Sequence, residues 1–119
     1  EMYDAILDNS DYNFKLFGPP KLAVQTSDYM IGLNASSLIQ DGGTLQIGIG
    51  ALGDAVVYGL QLRQQDNDTY KKVLQDSDIS KNHGAMINTY GGTEPFDEGL
   101  YASTEMLVEI GRASCRERV

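Results

Sequence analysis

The chain has 119 residues, room for one small domain, and its 41% hydrophobic and 22% charged residues read as soluble and globular rather than disordered. Nine Lys and Arg stand against 17 Asp and Glu, a formal net charge of −8, and a field of that sign repels nucleic acid. No run approaches the roughly 18 apolar residues of a membrane helix, a single Cys closes no internal disulfide, and no cationic-then-apolar leader is present, so the expectation is a cytoplasmic protein with neither nucleic-acid nor membrane partners.

In chain order, residues 1–24 read as a connector from a preceding domain. Gly18-Pro19-Pro20 blocks regular structure there, because Pro lacks a donor and restricts its predecessor. Ser27 or Asp28 is placed to cap a helix running to about Gln40, with Ile31, Ala35, Leu38 and Ile39 on its buried face. Asp41-Gly42-Gly43 is a stop and turn. Thr44–Ile49 reads as a strand, and Gly50-Ala51-Leu52-Gly53 as a tight loop. Asp54 is then expected to cap a second helix that buries Val56, Val57 and Leu60. This helix–strand–loop–helix order favours an α/β domain.

From Arg63 to Lys81 the chain is polar, and a loop or insertion is expected, with at most a short helix around Tyr70–Leu74. His83–Tyr90 is expected to include a short strand, Gly91–Pro95 a turn cluster, and Leu100–Thr104 a strand ending at Glu105. The segment 109–119 changes character. It holds three of the nine basic residues and the sole Cys, with neither helical nor strand periodicity, and one back-translation of it resembles a common sequencing-library adapter. Residues 109–119 are therefore expected to be a non-native tail, outside the fold.

Two places carry chemistry. Gly48-Ile49-Gly50-Ala51-Leu52-Gly53 satisfies G-x-G-x-x-G between a strand and a helix, the setting of a Rossmann-type dinucleotide fingerprint. Glycines let a backbone approach a bulky anionic ligand, and a helix start supplies amide donors. Two features weaken a nicotinamide: Asp54 at the helix cap repels phosphate, and no second strand with a terminal acid follows about 20 residues on, where Asp66 and Asp68 lie in a polar run. A dinucleotide, another ligand and a tight structural turn all remain open on pattern alone. The second place is Glu105, a carboxylate at a strand end, able to act as a covalent nucleophile or to be simply a solvated residue. His83, the sole histidine, has no ligand set of recognisable spacing around it, so no metal is expected. Cys115 lies in the tail, and the seven tyrosines read as packing residues.

The run Leu38-Ile39-Gln40-Asp41-Gly42-Gly43-Thr44-Leu45-Gln46-Ile47-Gly48-Ile49-Gly50-Ala51-Leu52-Gly53-Asp54-Ala55 resembles the signature of the acetyl-CoA hydrolase/transferase family, which includes acetate, butyrate, succinate and 4-hydroxybutyrate CoA-transferases. Leu16-Phe17-Gly18-Pro19-Pro20 and Glu94–Tyr101 resemble a longer bacterial subgroup, and Ser103-Thr104-Glu105-Met106 resembles the family's His-Thr-Glu-Met element with Ser103 in place of His. Many members have Pro where Gly53 stands. The resemblance implies an open, Rossmann-like α/β sheet with flanking helices, of which residues 25–108 would be the first part of a C-terminal domain and an incomplete one. It implies Glu105 as the nucleophile that becomes a glutamyl-CoA thioester, and Gly48, Ile49, Gly50, Ala51 and Leu52 as the loop that contacts coenzyme A. The substrates it implies are an acyl-CoA and a carboxylate acceptor or water, without a metal, in a full-length protein compatible with a homo-oligomer. The piece alone would be inactive.

Overall fold

The computed structural model describes residues 5, 6, 8–12, 18 and 22–104. After a single 3-10 turn at Ser10–Tyr12, four helices and two strands follow among these residues: α1 (Thr26–Ser37), β1 (Thr44–Ile47), α2 (Ala51–Gln65), α3 (Asn67–Asp76), α4 (Ile79–Tyr90) and β2 (Tyr101–Thr104). The content is mixed α/β, with β1 and β2 paired in parallel.

α1 begins one residue before its expected cap. Gln25 occupies the N-cap, and its N–H donates to the Asp28 carboxylate at 2.8 Å, the return half of a capping box. Its buried face is also not the expected one. Gly32, Leu33, Ser36 and Ser37 are buried, whereas Ile31 is 52% exposed, Leu38 is exposed, and Ala35 and Ile39 are half-buried. The cause is the closeness of α2. A Cβ on Gly32 would stand 2.5 Å from the carbonyl carbon of Ala55, and one on Gly59 would stand 2.9 Å from the Ser36 hydroxyl. At that separation a large side chain has no room, so small residues form the seam, Leu33 packs beside it in the core, and Ile31 is turned outward. The buried hydroxyls are satisfied locally: Ser36 donates to the Leu33 carbonyl at 2.9 Å and Ser37 to that of Asn34 at 2.7 Å.

The segment expected as a polar insertion is helical. α3 follows α2 after one residue, Asp66, whose carboxylate accepts the Thr69 N–H at 3.2 Å and caps the new helix. α3 is polar except for one stripe of Tyr70, Val73 and Leu74, in which Tyr70 and Leu74, at i and i+4, are fully buried. Four residues apart, Lys72 and Asp76 pair on its outer side. Asp78, at φ 57°, turns the chain into α4, a left-handed conformation that Asp tolerates better than most residues. α4 replaces the strand expected within His83–Tyr90. Ile79 and Ile87 dock into a cluster with Leu33, Tyr70 and Leu74, flanked by Leu62 and Val73, and this packing overrides the strand-like Ile-Asn-Thr-Tyr composition. The Tyr70 hydroxyl reaches across to Ser36 at 2.9 Å, joining α3 to α1.

These contacts separate two substitutions at neighbouring positions. Gly32→Val should drive α1 off α2 and lower stability by about 2–3 kcal/mol or more, whereas Ile31→Ala should change it by no more than about 0.5 kcal/mol. Urea denaturation of the two variants checks this; a larger loss for Ile31→Ala would return the buried face to the hydrophobic residues.

Candidate functional site

The sheet brings two distant segments to one edge. Thr44 pairs with Tyr101 and Ile47 with Thr104, so both strands end side by side. In parallel α/β sheets, ligands bind outside the carboxyl ends of the strands. At that edge β1 gives way to Gly48 and Ile49, which are exposed. Gly50 then takes φ +127°, a conformation that side chains rarely adopt, and serves as the N-cap of α2. Among the described residues, chain neighbours aside, no heavy atom lies within 4 Å of where a Cβ on Gly48 or Gly50 would stand, whereas one on Gly53 would collide with the Gly48 carbonyl oxygen. The three glycines thus divide their work: two leave the loop surface open and the third lets helix and loop touch.

Asp54 is not the cap expected from sequence. It sits in the first turn of α2, where its N–H donates to the Gly50 carbonyl at 3.1 Å, and no side chain caps the helix start. Among the described residues no capping carboxylate therefore occupies the leading amides of α2. Ala51 is half-buried and Leu52 is 49% exposed. Glu105, Cys115 and the tail 109–119 lie outside the described residues. Among the described residues, no three His, Cys, Asp or Glu side chains converge as metal ligands, and no helix is long and apolar enough to cross a membrane.

The segment that leads into β2, residues 93–99, is held by side chains that sequence pattern does not single out. Arg63 is 2% exposed. It lies four residues beyond Gly59 and eight beyond Ala55, on the seam where α2 faces α1. At the end of α1 its Nη1 donates to the carbonyls of Ser36 (3.3 Å) and Ile39 (2.7 Å), and its Nε to that of Glu94 at 2.6 Å. The guanidinium also stacks 4.0 Å from the Phe96 ring centroid. Burial pulls its proton affinity below the ordinary arginine value, opposed by Tyr70, Asp41 and Glu94, and it remains charged at any working pH.

Around it, the Gln64 amide meets Phe96 through both backbone groups, accepting at 2.7 Å and donating at 3.3 Å, and Asn67 donates to the Thr93 carbonyl at 2.8 Å. Asp41 completes the hold. One carboxylate oxygen accepts the N–H groups of Asp97 (2.9 Å) and Glu98 (3.1 Å), the other those of Gly99 (2.9 Å) and Gly42 (3.0 Å). These bonds, led by those from Asp97 and Glu98, keep the carboxyl below its ordinary value of 3.8. A signal for Arg63 existed in the sequence, a cation continuing the Ala55–Gly59 spacing by one more turn; Asp41 shows nothing beyond a turn residue.

A groove of about 410 Å³ opens between the sheet and α2, lined by Leu45, Ile47, Val57, Leu60, Phe96 and Leu100, with Gln61 and Gln64 among its polar members. Residues 48–52 do not line it, so the glycine loop and the groove are separate features.

A stretch of 70 residues, 59% of this chain, is 37% identical to the 4-hydroxybutyrate coenzyme A transferase of Clostridium kluyveri. The match spans about 16% of that relative's length. No family model matches the chain, and no solved structure matches it. The similarity is local and CoA-transferase-like.

Two outcomes follow from the anchoring network. Arg63→Met keeps much of the volume but leaves three carbonyls without their donor, and should cost about 3 kcal/mol or more in urea denaturation; a loss under 1 kcal/mol would mean water replaces the guanidinium. For Asp41 the folded-state value lies below the unfolded one, so its contribution is fully present above the ordinary carboxylate range and lost as pH falls through the folded value, below 3.8. The stability gap between the parent and Asp41→Asn should therefore be flat from neutral pH down to about 5 and shrink at lower pH. A gap that stays constant down to pH 2 would show that the charge contributes nothing.

Proposed function

We propose that this chain carries part of the acyl-CoA site of a CoA-transferase, with Glu105 as nucleophile and Gly48–Leu52 as the loop against coenzyme A. The observation that supports it most is the parallel register: Ile47 pairs with Thr104, and the next residues along the chain are Gly48 and Glu105. A glycine loop and a carboxylate thus succeed two strand ends that lie side by side. The local identity to a CoA transferase supports the same chemistry. On this reading residues 25–108 open a C-terminal domain completed by further sequence.

The ionised Glu105 carboxylate attacks the acyl carbonyl, the thioester C–S bond breaks, and an acyl–glutamyl anhydride forms as the CoA thiolate leaves. The thiolate then attacks the glutamyl carbonyl, releasing the acyl group as its carboxylate and leaving a glutamyl-CoA thioester. An acceptor carboxylate repeats the steps in reverse and leaves as its own CoA thioester; water in its place gives hydrolysis. The uncapped start of α2 supplies amide donors for uncharged polar groups of coenzyme A, since Asp54 in the same turn disfavours its phosphates there. The open space at Gly48 and Gly50 supports close approach by a bulky ligand. Where a dinucleotide site would need a second strand with a terminal acid, α3 stands instead, which favours coenzyme A over a nicotinamide cofactor.

The test uses the full-length protein that carries this sequence. Incubated with acyl-CoA and then borohydride, it should yield a reduced glutamyl thioester at Glu105 by peptide mass analysis. Glu105→Gln should lower acyl transfer by orders of magnitude, and Glu105→Asp, one methylene short, should also be badly impaired. Gly50→Val, strained at its positive φ and filling the open side of the loop, should block turnover. A label on another residue, or turnover by Glu105→Gln, would make Glu105 an ordinary strand-end carboxylate; tight NADH binding without CoA binding would overturn the loop assignment.

A further inference from the structure

We infer that Asp41 is a positioning residue for acyl transfer: its carboxylate gathers the N–H groups of residues 97–99 and so fixes the register in which β2 carries the chain to the edge of the Gly48 loop. The inference rests on the reading of Glu105 as nucleophile. Asp41 lies three residues before β1, and the three amides it gathers end two residues before β2. The two strands are thus started from one clamp. The backbone reinforces it, with Gly42 N–H donating to the Gly99 carbonyl at 2.9 Å and Tyr101 N–H to that of Gly43 at 3.0 Å. From the clamp to Thr104 there is only a four-residue strand. A slip of one residue would move its far end by about 3.3 Å and invert every side chain, and a misplacement near 1 Å is enough to cost about 100-fold in rate.

The chemistry at position 41 calls for a carboxylate. Four N–H groups converge on its two oxygens, and every one of them is a donor. Asn would turn an NH2 toward some of them, and Glu would push the oxygens out by a methylene. The clamp is also separable from what keeps the molecule folded. Neither Asp41 nor residues 97–99 belong to the cluster of Leu33, Tyr70, Leu74, Ile79 and Ile87, and Arg63 and Gln64 hold Glu94 and Phe96 independently. Loss of Asp41 should therefore loosen the start of β2 and leave the helical core in place.

The experiment compares Asp41→Asn, Asp41→Glu and Glu105→Gln in the full-length protein. It measures kcat and KM for acyl-CoA, thermal melting, amide exchange over residues 97–104 and the borohydride label. Asp41→Asn should lower kcat about 10- to 100-fold, keep KM within about two-fold, speed exchange at 97–104, and still place a slower-forming label on Glu105. Asp41→Glu, which keeps the charge, should melt with the parent and show a smaller fall of about 3- to 10-fold in kcat. Parental kcat in both Asp41 variants overturns the role, as does a fall in activity that follows only the unfolded fraction. If Asp41→Asn does not fold, the Asp41→Glu kcat decides alone. Turnover by Glu105→Gln removes the nucleophile reading itself; an inactive Glu105→Gln beside fully active Asp41 variants removes only the positioning role.

Discussion

The end of α1 is where the molecule is joined. A helix leaves its last carbonyls short of partners, and here groups from far along the chain join the local bonds from Leu38 and Ile39 to Ala35 and Ser36. Arg63 donates to Ser36 and Ile39, and the Gly92 N–H donates to Ser37 at 3.0 Å. The same guanidinium holds the Glu94 carbonyl and the Phe96 ring. One cation thus satisfies the negative end of a helix and fastens the connection that leads into β2. A lone buried cation is costly; this one is tolerated because each of its contacts is an acceptor already fixed by the backbone, and among the described residues no buried side-chain nitrogen or oxygen is left without a partner.

Arg63 can reach those carbonyls because α1 and α2 lie so close. Gly32, Ala55, Ser36 and Gly59 set that distance, and Arg63 follows on the same seam at the next helical turn. The separation of two helices therefore decides where a guanidinium falls, and the guanidinium decides where the 91–100 segment runs. Asp41 then takes over and delivers that segment to the sheet.

The two strands and the turn at Asp41-Gly42-Gly43 were legible because their signals are local, β-formers between turn residues; the loop was misplaced, since β1 ends at Ile47 and Ala51–Gly53, expected in the loop, form the first turn of α2. The buried face of α1 was not legible, because hydrophobic periodicity finds large apolar side chains, and this seam is built from Gly and Ser. Polar composition hid the extent of α3, for which the sequence allows only a short helix around Tyr70–Leu74; its apolar stripe is Tyr70, Val73 and Leu74. Ile, Thr and Tyr give α4 a strand-like composition, and only its docking against Leu33 and Tyr70 decides otherwise. Asp is a common cap, which points to Asp54, yet the chain enters α2 through a glycine whose φ only that residue adopts readily. Of the candidate site, the glycines stand at the strand-to-helix junction that their spacing suggested, whereas the uncapped start of α2 runs against the expected Asp54 cap. The residues that aim β2 could not be read, since Arg63 and Asp41 act on partners about 30 to 60 positions away in sequence.

The sheet has a further consequence in the order of assembly. Its two strands are parallel and separated by the whole of α2, α3 and α4. Closing a chain segment of that length costs on the order of 3–4 kcal/mol of entropy before a single ladder bond is returned. The intervening helices form from contacts near in sequence, which come early in folding. They shorten the span that β2 must cross, and Arg63 and Asp41 narrow it further by holding residues 94–99. The parallel pairing at the edge that carries the glycine loop should therefore form late on folding and open early in the native ensemble, with the helical core undisturbed.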